Sequence, residues 1–184
     1  MKALPLVAAA ALVLAAAPAT AADPWSKLRR PLHIPQIESG APCPTAVRTG
    51  DLAVFGLAPF SAWGAGPAYP AIDPRRAERP TVRFEPVAGS DIGGAKVMWA
   101  VERRYRGPVL VRGRQLDGPN IVRFENGRPG FTLAQRLHPK AELRIWGGGS
   151  VWPAVTRVPG AGCYAWQVDG TSFSRVIVFT AQPL

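Results

Sequence analysis

The chain has little of what metal and thiol chemistry require. It carries two cysteines and two histidines among 184 residues. His33 and His138 each lie within two positions of a proline, Pro35 and Pro139, and no Cys/His spacing resembles a metal motif. Neither a metal nor a cofactor is expected. Acidic residues are also scarce, 12 against 22 basic ones, and no paired carboxylates stand out for general acid–base work. Ser90 sits in Gly89-Ser90-Asp91-Ile92-Gly93, which lacks the G-x-S-x-G spacing and following helix of a nucleophile elbow. Gly147–Ser150 and Gly89–Gly94 lack the lysine and helix of a phosphate loop and read as turns. A Cys163–His138 thiol pair finds no third group to orient the histidine. No residue is therefore assigned as catalytic, and the chain is read as non-enzymatic.

Long hydrophobic runs are missing too, except at the start. Met1-Lys2, the apolar run Ala3–Ala17, Pro18 and Ala19-Thr20-Ala21 have the charge, length and small-residue ending of a secretory signal peptide. Cleavage is expected after Ala21, with Ala22 as the alternative. A membrane span needs roughly 20 apolar residues, so no transmembrane segment is expected. The first cysteine is Cys43, so no lipidated cysteine is expected at the cleavage point. The mature chain is read as secreted or extracytoplasmic. In such an oxidising compartment Cys43 and Cys163 are expected to form a disulfide. It would close 120 positions, worth about 4–5 kcal/mol in the chain-entropy view.

What the chain has in abundance is arginine, proline, glycine and apolar residues. Net charge is +10, or +9 once Lys2 leaves with the leader, and 18 of the 22 basic residues are arginine. Such a balance attracts anionic polymers; the competing reading is base composition, since Ala, Arg, Gly and Pro are what GC-rich codons supply. Export argues against nucleic acid as a partner. Glycine and proline together make 39 residues, a proportion suited to short strands and many turns. A 47% hydrophobic content with six tryptophans excludes a disordered chain.

Periodicity two dominates from Thr81 onward. Strands are expected over 81–87, 96–102, 109–112, 121–125, 141–146, 163–168 and 173–179, with Asp169-Gly170 turning the last hairpin. A short strand is expected at 52–57, a long ordered loop over 58–80 that includes Asp73-Pro74-Arg75-Arg76, and one helical turn near 132–137. Residues 1–21 are the signal peptide, 22–51 a proline-rich lead-in wrapped onto the domain, and 52–184 a single domain. The fold class is all-β, an Ig-like two-sheet antiparallel sandwich of seven to eight strands.

The closing string Gly162-Cys163-Tyr164-Ala165-Trp166-Gln167-Val168-Asp169-Gly170 resembles the terminal hairpin of immunoglobulin-like sandwiches. In that fold a tyrosine hydroxyl bonds back to upstream backbone, which implies a tyrosine corner at Tyr164. The antibody cysteine follows the tyrosine by two positions, where this chain has Trp166. The inter-sheet antibody disulfide is thus not reproduced, and Cys163 is expected to tie the hairpin to the lead-in at Cys43. Together with Tyr105–Gly118, this string also resembles a group of uncharacterised small secreted bacterial proteins over roughly residues 95–180. That resemblance implies fold and export and supplies no catalytic residues.

Two binding features compete with purely structural roles. Arg103, Arg104, Arg106, Arg112, Arg114 and Arg123 fall on or between three consecutive strands and would form an anion-binding patch if they share a face. Otherwise they pair with Glu102, Asp117 and Glu125. Trp146 and Trp152 around the Gly-Gly-Gly-Ser turn, with Trp63 and Tyr69, would stack sugars if exposed, and would be core if buried. The functional expectation is a secreted binding module of the cell envelope, partnered by an anionic envelope polymer or an envelope protein. The alternatives are a structural or assembly domain and an unrecognised hydrolase. Oligomeric state is not encoded in any visible pattern.

Overall fold

A computed structural model describes residues 22–73, 79–128 and 130–184; the expected signal peptide and Pro74-Arg75-Arg76 lie outside them. The described residues are nearly all β. Eleven strands are present: β1 Arg48–Asp51, β2 Ser61–Trp63, β3 Ala68–Ile72, β4 Thr81–Phe84, β5 Gly93–Val101, β6 Pro108–Gln115, β7 Ile121–Asn126, β8 Leu143–Trp146, β9 Val151–Val158, β10 Gly162–Gly170 and β11 Ser174–Pro183. They form one path, β1-β2-β3-β5-β9-β7-β6-β10-β11-β4, with β8 added beside β6. No helix among the described residues is long and apolar enough to cross a membrane.

The path curls because its strands alternate. Val97, Trp99 and Val101 of β5, Phe124 of β7, Val109 and Val111 of β6, Tyr164 and Trp166 of β10, and Ile177 and Phe179 of β11 all enter one buried cluster. Each strand thus gives every second side chain to the same interior. Trp166 stacks on Phe179 with centroids 3.8 Å apart and meets Trp99 edge-on at 5.4 Å. The far end of the path returns to its middle through an antiparallel bridge between Glu85, just after β4, and Gly94 of β5. Gly93 permits this approach, since a Cβ there would sit 2.2 Å from the Phe84 ring.

Several expectations change. The strand expected at 52–57 is a 3-10 turn over Ala53–Phe55, and pairing instead begins upstream at Arg48. Residues 58–80, expected as loop, hold β2 and β3. β3 is buried along its whole length, so it shows no alternation to read. β9 was not visible in the pattern because Pro153 interrupts it; the proline sits just past the last pairing of β7, Asn126 with Ala154. All ladders are antiparallel except β4, which runs parallel to β11. The helical turn is α1, Leu133–Leu137, capped by the Thr132 hydroxyl, which accepts from the Gln135 amide at 3.2 Å.

Candidate functional site

The six arginines separate into three groups. β6 turns Val109 and Val111 inward, so Arg112 and Arg114 face outward, where residues 30–43 lie across β6, β10 and β11. Ile34 packs there with Leu116, Cys163, Ala165 and Val178. Arg112 donates to the Arg30 carbonyl at 2.6 Å and to Asp169 at 2.8 Å, and Arg114 donates to the Ile34 carbonyl. Asp169 is fully buried and also accepts from Gln167 and from Ser174 Oγ at 2.6 Å. Gln167 reaches the segment twice: its amide donates to the Pro31 carbonyl, and its oxygen accepts from the His33 amide. These two arginines therefore attach the lead-in to the sheet. The Cys43–Cys163 disulfide closes the same contact, with Cα atoms 5.4 Å apart.

Arg123 stands alone on β7, exposed, donating a long 3.4 Å bond to the Pro139 carbonyl. β9 separates β5 from β7, so the three strands expected to be consecutive are not neighbours throughout.

Arg103, Arg104 and Arg106 occupy the loop between β5 and β6. All three are exposed, and among the described residues none has a hydrogen-bond or ion-pair partner. The loop itself is firmly held. The Tyr105 hydroxyl donates to the Pro108 carbonyl at 2.7 Å and accepts from the Thr171 amide at 2.9 Å, and its ring meets Phe173 edge-on at 5.1 Å. Gly149, at φ 82°, leaves room for the Arg103 stem, which a Cβ would meet at 2.5 Å. Arg103 and Arg104 line a depression of about 550 Å³ with Glu102, Val54, Phe55, Gly149 and Val151. Glu102 is oriented by the Tyr69 hydroxyl, which donates to it at 2.6 Å. Burial, then the bond to Glu102, pushes the Tyr69 hydroxyl up to about 12.

Tyr164 is buried in β10, and its hydroxyl donates to the Gly160 carbonyl at 3.0 Å. Burial, and then the Asp117 carboxylate, push it up to about 12. Trp63, Trp152 and Tyr69 are buried, whereas Trp146 is 44% exposed and meets Trp25 edge-on at 5.0 Å. The two tryptophans flanking the glycine turn thus do not share a platform. His33 and His138 are both exposed. Among the described residues no three metal-ligating side chains gather.

Sequence reasoning missed the buried pair of Arg157 and Glu125. Arg157 is fully buried on β9; it donates to Glu125 at 2.5 Å, to Ser90 Oγ at 2.7 Å and to the Ile92 carbonyl at 3.0 Å. This uses Ser90 as a structural acceptor. A charged residue within an alternating run was the only signal available. A second cluster, Arg29 with Glu142 and Asp23, also went unread; Arg29 and Arg144 hold the Glu142 carboxyl below the usual range.

Comparison with known proteins adds no name: no protein-family model, curated protein or solved structure matches the chain.

Proposed function

We propose that the chain is a secreted, non-enzymatic binding module of the cell envelope that takes an anionic envelope polymer on the β5–β6 loop. The observation that carries this reading is the unpartnered, exposed trio Arg103, Arg104 and Arg106 on a rigid loop beside a depression. A loop already anchored through Tyr105 loses little backbone freedom when its guanidinium groups grip phosphate or carboxylate oxygens. The disulfide fits an oxidising compartment, and the leader-like residues 1–21 support export. The Tyr164 bond to Gly160 supports relating the curled sheet to Ig-like sandwiches, and with it to the small secreted bacterial proteins that the hairpin string resembles.

The test is cosedimentation of the protein with purified cell-envelope fractions across a salt series. Retention should fall steeply as salt rises, because exposed charge contacts are screened, and Arg103→Ala with Arg104→Ala and Arg106→Ala should abolish it. No retention at low salt, or retention indifferent to salt and to the triple substitution, would sink the proposal. In the latter case a stoichiometric envelope-protein partner in crosslinking would favour the assembly reading.

A further inference from the structure

The segment between β7 and β8 exposes apolar surface that the polymer reading does not use. Phe131, Leu133 and Leu137 are 43%, 67% and 46% exposed, on and just before α1. Three large apolar side chains clustered within seven positions are not the scattered exposure that any surface shows. Around them Arg123, Arg136 and Lys140 are exposed. No acidic residue occurs from Asn126 to Ala141. Glu125 is buried and already bound to Arg157. The acidic groups of the adjoining 85–92 loop are Glu85 and Asp91, and Lys96 stands exposed beside Glu85 in the same depression. The face is therefore apolar at its centre, and its margin is net cationic, with Arg123, Arg136, Lys140 and Lys96 against the exposed Glu85 and Asp91.

We infer that this face docks on an anionic lipid surface, with Phe131, Leu133 and Leu137 entering the headgroup–acyl boundary and the basic margin meeting the headgroups. Charge complementarity selects this occupant. A second copy of the chain would set one net-cationic margin against another. An apolar partner without anionic groups would leave the cationic margin unanswered. Apolar insertion combined with electrostatic attraction is how amphipathic surface segments bind anionic bilayers, and the two contributions are separable by experiment. This inference uses different residues from the polymer reading and stands or falls independently of it.

The probes are vesicles of phosphatidylglycerol mixed with phosphatidylcholine, and vesicles of phosphatidylcholine alone. The expected result is cosedimentation with the anionic vesicles, at least about tenfold weaker with the neutral ones. Phe131→Ser with Leu133→Ser and Leu137→Ser should weaken anionic binding by about tenfold or more, while the Arg103/Arg104/Arg106 alanine variant binds vesicles as before. These three side chains are solvent-exposed, so the fold should survive; Leu133→Trp provides a second readout through a blue-shifted emission on anionic vesicles only. Absence of vesicle binding, or binding unchanged in the serine variant, would overturn the inference. So would a concentration-dependent dimer abolished by those serines, which would assign the face to a second copy.

Discussion

Arg112 and Arg114 on β6 differ from Arg103, Arg104 and Arg106 in the preceding loop only by position, yet their circumstances are opposite. The strand pair lies under residues 30–43 and donates to backbone carbonyls and to the buried Asp169. Among the described residues the loop trio is exposed and has no partner. The arginines of β6 and of the preceding loop are therefore two populations, one spent on assembling the fold and one presented outward. A guanidinium that is covered and already bound to the lead-in cannot grip a ligand without first abandoning its protein partners. Net charge alone does not measure what is available for binding.

The contrast is sharpened most by releasing the lead-in. Cys43→Ser with Cys163→Ser removes the covalent closure of 120 positions, with an expected loss of about 4–5 kcal/mol in denaturant unfolding. Arg112→Ala leaves Asp169 buried beside Gln167 and Ser174, with Arg30 3.8 Å away. Its expected cost is about 2–4 kcal/mol, and residues 30–43 should become the first site of limited proteolysis. A cost near zero would mean that the strap is held without its arginine and would break the distinction.

Tyr164→Phe should cost about 1 kcal/mol by deleting the bond to Gly160. Alkaline titration reads the same residue. Its folded value, about 12, lies above the ordinary 10.0, so the unfolded chain loses its proton first. Stability should be complete below pH 10 and decline as pH rises from 10 towards 12; Tyr69, also pushed up to about 12, adds to that decline, and Tyr164→Phe should shallow it. The smallest effect on stability is expected from the loop trio. Replacing all three by alanine should change the unfolding free energy by no more than about 0.5 kcal/mol, while removing retention on envelope fractions. A large destabilisation would place these residues with Arg112 and Arg114.

Much of the strand inventory was legible: β4, β5, β7, β8 and β11 alternate along much of their length, and β10, though buried on both faces, is marked by the Asp169-Gly170 turn signal. β2, β3 and the turn Ala53–Phe55 were misread for a physical reason. β3 is covered on both faces, by the main core and by Leu52, Phe55 and Phe60, so its side chains need not alternate. The sorting of the six arginines was not legible, because it depends on which of them residues 30–43 cover and on where β9, from far down the chain, inserts between β5 and β7.

By itself the sequence determined an all-β chain, its final hairpin and the pairing of its two cysteines, since these follow from local alternation, a turn dipeptide and the mere count of thiols. Only the tertiary structure decided which arginines remain free, which tryptophans are core, and that Arg157 and Glu125 meet in the interior. Those outcomes depend on which strand lies beside which and on what covers each outer face, and both are set by contacts between residues far apart in the chain.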